Sequence, residues 1–202
     1  MRKLTFLISI LLIAMGCHQS STDNSRLTGA ELNIIQNSKD IMRVLTTESP
    51  EDMKVLKANS IDIPVEDLRS EAYRTLTDLM LATVTHPSQD GVGIAAPQVG
   101  LNRRVVAVQR FDKENEPFEI YPNIRIVWAS DSLSAGPEGC LSVPNRRGEV
   151  MRSQEIIIEY ADISRLDESD FMVRDTVRGF TAVIFQHEID HLDGILYIDK
   201  VR

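Results

Sequence analysis

The sequence predicts an α+β fold in which small antiparallel β-sheets surround one central helix. Segment 65–85 carries apolar residues at helical spacing, and a second helix is predicted over 180–192. Between these two segments lie short runs of β-branched and aromatic residues, separated by polar turns, as expected of antiparallel strands. The chain of 202 residues shows no internal repeat, and its length suits a single domain with one hydrophobic core.

The first part of the chain predicts helices joined by irregular segments. Thr28 and Glu31 have the spacing of a capping box, which predicts a short helix over 27–36. Segment 41–63 has no clear period, and we expect extended chain and turns there. A long helix over 65–85 then packs against the core.

Strands follow the long helix. They are predicted at 105–108, 118–121, 124–128, 156–160 and 171–177. The last helix, 180–192, is followed by Gly194, a residue suited to the left-handed conformation that ends many helices. Residues 195–198 are predicted to form a final strand.

The N-terminus predicts export and lipid anchoring. Residues 1–16 combine a short positive start with an apolar run that is too short to span a bilayer comfortably, as in a signal peptide. Cys17 follows a small glycine, as the acylated cysteine of a bacterial lipoprotein does, although an ordinary signal beside an incidental cysteine is the alternative. Residues 17–26 are polar and predict a flexible tether, which leaves 27–202 as the folded domain. The expected location is the bacterial cell envelope.

Charge and cysteine content narrow the function further. The net charge of −8 argues against a nucleic-acid-binding surface, which would need a basic patch. Exported proteins usually form disulfides, yet Cys17 and Cys140 are the only cysteines. If Cys17 carries lipid, Cys140 is left as a lone thiol. Metal binding would explain such a thiol, and a buried inert cysteine is the alternative.

The predicted last helix carries a hydrolytic metal motif. His187 and His191 stand four residues apart and share one helical face, so both imidazoles can reach one metal ion. Glu188 lies beside the first histidine, in the His-Glu-x-x-His arrangement whose glutamate acts as a general base. Two ligands do not complete such a site, and a third must come from elsewhere in the chain.

Two further motifs lie upstream. Segment 91–98 (Gly-Val-Gly-Ile-Ala-Ala-Pro-Gln) ends in Gln98, whose amide can stabilise a developing oxyanion, although a tight turn with a buried strand explains the glycines equally well. Segment 138–142 (Glu-Gly-Cys-Leu-Ser) contains Cys140, a strong metal ligand as a thiolate. As a nucleophile, Cys140 would need a histidine base.

Together and in this order, the three motifs resemble those of the peptide deformylase family, and the similarity extends over 42–202. The resemblance implies that Cys140, His187 and His191 bind one divalent metal ion. Ferrous iron is expected, with zinc, nickel or cobalt as substitutes. It further implies that Glu188 acts as general base and then as general acid, and that the Gln98 and Leu141 N–H groups donate to the oxyanion. The methionine side chain of the substrate would enter a pocket formed by Val92, Phe180, Val183 and Ile184. Gly93 would form hydrogen bonds with the substrate backbone.

The implied substrates are N-formylated peptides. The chain ends eleven residues after His191, so we expect no ribosome-docking helix and a monomer that acts away from the ribosome. One alternative is a lipoprotein that binds formyl peptides with little or no turnover. The other is a zinc peptidase of the His-Glu-x-x-His type, whose third ligand would have to be Asp193 or Asp199.

Overall fold

The computed structural model describes residues 26–201 and has the predicted α+β fold. The predicted signal peptide, Cys17 and most of the tether lie outside the described residues. Among residues 26–201, no helix is both long enough and apolar enough to cross a bilayer. The α-helices are α1 (Gly29–Asn37), α2 (Pro50–Leu56), α3 (Val65–Leu68), α4 (Glu71–Val84) and α5 (Gly179–Leu192).

The strands form three antiparallel sheets. The first has the order β1-β2-β3, the second β4-β7-β8, and the third is the hairpin β5-β6. The bounds of the strands are β1 (Gly93–Ala95), β2 (Val105–Gln109), β3 (Phe118–Pro122), β4 (Arg125–Ala129), β5 (Leu133–Cys140), β6 (Val143–Ser153), β7 (Glu155–Ala161) and β8 (Met172–Arg178).

Strand β2 divides the hydrophobic core into two layers. Alternate side chains of a strand point to opposite faces. Val105 and Ala107 therefore pack into one cluster with α1 and α4, whereas Val106 and Val108 pack into a second cluster with α5. Burial of both faces explains why β2 is a continuous apolar run.

Helix α5 lies between the first and second sheets and is apolar on most of its surface. Ile184, Phe185 and Ile189 are buried against residues of both sheets. The helix ends as predicted, because Gly194 adopts φ = +68° and a side chain there would collide with the Lys57 carbonyl. This burial holds the His-Glu-x-x-His segment in the middle of the molecule.

Two predicted elements were wrong. The helix predicted over 65–85 is interrupted, because the Ser70 hydroxyl accepts a hydrogen bond from the Tyr73 N–H (3.1 Å) and starts a new helix there. The strand predicted at 195–198 is instead irregular chain leading into a 3₁₀ turn, Tyr197–Asp199. The Asp199 carboxylate accepts a hydrogen bond from the Leu196 N–H (2.8 Å). This bond closes a local turn, so the segment does not pair with a neighbouring strand.

Further elements of the structure were not predicted from the sequence. Helix α2 forms within 41–63, where Ser49 caps it and Pro50 occupies its first turn. The hairpin β5–β6 was not predicted, because its strands are rich in Gly, Pro, Arg and Glu rather than β-branched residues. The missed hairpin matters most, since β5 ends at Cys140.

Candidate active site

Three side chains of types that bind metals meet where the hairpin approaches α5. Cys140 ends β5, and His187 and His191 lie on one face of α5. One ligand atom from each of the three lies within 4.8 Å of the others. The Cys140 Sγ is 3.2 Å from the His191 Nε2, and the two imidazole ring centroids are 5.1 Å apart. The structure therefore brings together the three residues that the sequence analysis predicted as ligands.

The orientation of His187 is fixed by a carboxylate that the sequence analysis did not single out. The His187 Nδ1 donates a hydrogen bond to the Glu138 Oε2 (2.8 Å), which leaves Nε2 to face Cys140. Burial opposes ionisation of Glu138, but hydrogen bonds from Arg152 and His187 outweigh it and lower the Glu138 pKa to about 2. A carboxylate behind an imidazole is a common support for a metal ligand, because it fixes the tautomer.

Arg152 connects this carboxylate back to α5. Its guanidinium is almost fully buried and contacts both oxygens of Glu138, at 2.7 and 3.0 Å, and the Asp190 Oδ2 at 2.5 Å. Lys200 also binds Asp190, at 2.6 and 2.7 Å. These contacts form a continuous chain of hydrogen-bonded side chains with alternating charges, which we name the ion-pair network. Its members are His187, Glu138, Arg152, Asp190 and Lys200.

The donor set fits a divalent transition metal. Burial lowers the pKa of His191 well below its usual value, which keeps the neutral form that ligates a metal. Burial also lowers the pKa of His187, but hydrogen bonds with Cys140 and Glu138 outweigh it and raise that pKa to about 10. A proton and a metal ion therefore compete for this imidazole. One thiolate and two imidazoles are ligand types that zinc and iron accept.

Glu188 lies beside the three ligands in a tight space. It is 4 % exposed, and within residues 26–201 its Oε2 has no hydrogen-bond partner. Burial raises the Glu188 pKa to about 7, and a nearby cation would lower it again. An ideal Cβ at Gly93 would lie only 2.6 Å from the Glu188 Oε1. A glycine at position 93 is therefore a steric requirement for the present position of this carboxylate.

Gln98 approaches the cluster from the segment that follows β1. Its Oε1 accepts the Ala95 N–H (2.8 Å), and its Nε2 contacts the Ser142 Oγ (3.3 Å) and the Cys140 Sγ (3.5 Å). The side-chain amide is thus anchored through its oxygen and directs its nitrogen toward the metal ligands. Leu141 lines the same cleft, directly after Cys140.

A cleft of about 810 Å³ is lined by Cys140, His187 and Glu188. All five residues that were predicted to bind substrate line this cleft: Val92, Gly93, Phe180, Val183 and Ile184. Phe180 is 59 % exposed at the entrance and packs on Phe111, with ring centroids 5.3 Å apart. The part of the cleft wall formed by the first turns of α5, before His187 and Glu188, is thus apolar.

Sequence reasoning missed the supports of the site rather than its ligands. Glu138 was noted only as part of a motif, Arg152 was not singled out, and Tyr197, whose ring stacks on His187 at 6.0 Å between centroids, was assigned to a strand. The available signal was the position of Glu138 two residues before the cysteine, which places both side chains on one face of a strand.

Comparison with known proteins identifies the family. Residues 41–202 match the family model for polypeptide deformylase. A peptide deformylase from Caulobacter sp. (strain K31) is 38% identical over 162 residues, which cover 80% of this chain and 88% of the relative. Peptide deformylase 2 from Nostoc sp. (strain PCC 7120) is 41% identical over 144 residues, which cover 68% and 76%.

Solved structures agree with this match. The structure of a peptide deformylase from Acinetobacter baumannii bound to Met-Ala-Ser is 34% identical and has a TM-score of 0.69, with 80% of this chain and 98% of that chain covered. The matched region contains the cysteine, both histidines and the buried glutamate. The chain therefore belongs to the peptide deformylase family and is a metal-dependent hydrolase that removes the N-formyl group from formylated peptides.

Proposed function

We propose that Cys140, His187 and His191 hold the metal of this deformylase and that ferrous iron is the natural ion, with zinc, nickel or cobalt as substitutes. The observation that carries the ligand assignment is the convergence of the three ligand atoms within 4.8 Å, next to a buried carboxylate, whereas iron is proposed from the family resemblance. Three protein ligands leave a coordination position open, as a hydrolytic metal site requires.

The neighbouring side chains supply the remaining chemistry. When bound, the metal acts as a Lewis acid that polarises the formyl carbonyl and makes water a better nucleophile. Glu188 takes the proton of the attacking water and returns it to the leaving amine. The Gln98 Nε2 and the Leu141 N–H donate to the developing oxyanion. The contact between Gln98 and the Cys140 Sγ is weak at 3.5 Å, so a substrate oxygen can replace it.

The substrate chain fits along β1. Because β1 is an edge strand of its sheet, an extended peptide can pair with it, and Gly93 provides backbone hydrogen-bonding groups there. The side chain of the formylated methionine enters the apolar part of the cleft, formed by Val92, Phe180, Val183 and Ile184.

The two alternative functions are less well supported. A zinc peptidase would need Asp193 or Asp199 as its third ligand, but Asp193 binds Arg104 at 2.7 Å and Asp199 binds Lys57 and the Leu196 N–H. A lipoprotein that only captures formyl peptides would not need a buried carboxylate beside the ligands. Glu188 therefore favours catalysis.

We further propose that the enzyme works outside the cytoplasm. Residues 1–16 carry the features of a signal peptide, and Cys17 is placed as the acylated residue of a lipoprotein. The substrates would then be formylated peptides in the cell envelope rather than chains on the ribosome. Three acyl chains on one cysteine would suffice for stable anchoring. A monomeric state stays a prediction.

Glu188→Gln should abolish turnover without removing the metal. Metal-free protein, reloaded anaerobically with one equivalent of Fe²⁺, should release formate from formyl-Met-Ala-Ser. The variant should bind the same amount of Fe²⁺ but lose roughly 10²- to 10⁴-fold in kcat, the usual contribution of a general base. Reloading with Zn²⁺ should give a slower enzyme.

Other outcomes of this assay reject particular parts of the proposal. Undiminished formate release by Glu188→Gln would remove Glu188 from proton transfer. Peptide-bond cleavage in place of formate would favour a peptidase, and stoichiometric capture of the peptide without product would favour a binding protein. Higher activity with Zn²⁺ than with Fe²⁺ would reject iron as the natural ion.

Gly93→Ala should displace Glu188, because the added Cβ would lie 2.6 Å from its Oε1. We expect kcat for formate release to fall by about 10²-fold, as for a catalytic group misplaced by about 1 Å, with metal content unchanged. Gly136→Ala is the matched control, since no atom lies within 4 Å of a Cβ at that position. Equal kcat in both variants would show that the space at Gly93 is not needed.

Cys17→Ser should release the full-length protein from the membrane fraction of the bacteria that express it. Mass spectrometry of the membrane-extracted wild type should find acyl chains on Cys17 at the new N-terminus. Cys140→Ser is the control, because it removes the other cysteine and should still be acylated. An unmodified Cys17, or equal membrane association of Cys17→Ser and wild type, would reject the anchor.

A further inference from the structure

The hairpin β5–β6, which lines one side of the cleft, has a large irregularity in the pairing of its two strands. Glu138 pairs with Gly148 and Cys140 pairs with Val143, so a single residue of β5, Gly139, faces the four residues 144–147 of β6. The extra residues arch out of the ladder, as in a β-bulge, and bulges often re-aim side chains beside active sites. Here the arch lies against the cleft.

Arg146 and Arg147 stand on this arch and line the cleft. Both are exposed, and within residues 26–201 neither forms an ion pair or a side-chain hydrogen bond. The side chain of Arg147 passes over Gly139, with its Cγ 3.7 Å and its Nε 3.9 Å from the position that a Cβ would take there. By contrast, Arg152 on the same strand is buried and bound to Glu138. The two arginines therefore offer free guanidinium groups at the cleft.

The carboxylates that line the cleft do not neutralise the charges of Arg146 and Arg147. Glu138 is already bound to Arg152 and His187, and Glu188 is buried beside the metal ligands. The remaining acid of the lining, Asp90, lies next to Gly91 and, among the described residues, forms no ion pair with Arg146 or Arg147. The cleft is thus positive on its hairpin side, in a chain whose net charge is −8.

We propose that Arg146 and Arg147 form an anion subsite that binds a carboxylate of the substrate, downstream of the formylated methionine. This inference rests on the proposed function, in which the peptide extends from the metal along the cleft. Guanidinium groups bind carboxylates through paired, charge-assisted hydrogen bonds. The carboxylate is either the free C-terminus of a short peptide or the side chain of Asp or Glu.

Through the terminal carboxylate, this subsite would make short formylated peptides the preferred substrate class. A released peptide of two or three residues carries its terminal carboxylate close to the formyl group, whereas a long chain does not. The carboxylate would lower KM for such peptides, because the contact forms in the ground state and in the transition state alike. A lysine at the same position of the substrate would be disfavoured by repulsion.

The test compares matched peptides on the metal-loaded enzyme. Formyl-Met-Ala and formyl-Met-Ala-Ser are each assayed as the free acid and as the C-terminal amide. Formyl-Met-Ala-Asp-amide and formyl-Met-Ala-Lys-amide separate a side-chain carboxylate from the terminal one. We expect wild-type kcat/KM to favour at least one acid over its amide by about threefold to tenfold, mainly through KM, as for a partly exposed bidentate pair. The preference should shrink in about 0.5 M salt.

The variants decide whether the two arginines cause the preference. In the double variant Arg146→Gln/Arg147→Gln, the ratio of acid to amide should fall to about one. Arg74→Gln removes one positive charge, half of the change in the double variant, from an exposed arginine of α4 that lies outside the cleft lining, and it should keep the wild-type ratio.

Three results would overturn the subsite. They are equal KM for every acid and amide pair together with equal KM for the Asp and Lys amides in wild type, an unchanged preference in the double variant, and an equal fall of the preference in Arg74→Gln. In each of these cases formate release from the amides still supports the deformylase assignment. Absence of formate with every peptide would instead reject the proposed function and, with it, this inference.

Discussion

The hydrogen bond between the His187 Nδ1 and Glu138 is the contact on which the site depends. Helix α5 can place its two histidines together by its own geometry, since they are one turn apart. The third ligand, Cys140, comes from a hairpin that is distant in sequence and needs a tertiary contact to meet the helix. Glu138 provides this contact, because it lies two residues before Cys140 on the same strand.

Arg152 adds a second connection between the hairpin and α5. It holds Glu138 from within the hairpin and reaches Asp190, three residues after His187, on the same face of α5. The hairpin is therefore bound to the helix at two points. Removing one partner of a buried pair leaves an uncompensated charge, which typically costs about 3–5 kcal/mol. Lys200 is the exposed end of the ion-pair network, so the C-terminal turn also supports the candidate metal site.

The sequence predicted what depends on local pattern. The capping box of Thr28 and Glu31, the left-handed Gly194 and the strand that buries Val105–Val108 all follow from short-range rules, and the structure has each of them. The two histidines were predictable because His-Glu-x-x-His is itself a local spacing, whereas Cys140 as the third ligand followed from the resemblance of the three motifs. The hairpin was not predictable, since its strands are rich in Gly, Pro, Arg and Glu and contain few β-branched residues. The turn at Asp199 and the role of Glu138 depend on contacts between distant residues, which no local pattern encodes.

The claim that Glu138 positions His187 is tested most directly by the metal dissociation constant of Glu138→Gln, measured for Zn²⁺ by competition with a chelator on folded protein. We predict a rise of about 10- to 100-fold, as for the loss of other carboxylates that orient metal-bound histidines. Glu155→Gln is the control, because Glu155 pairs with Arg178 at an exposed position, and it should bind Zn²⁺ as wild type does. An unchanged dissociation constant for Glu138→Gln would contradict the account.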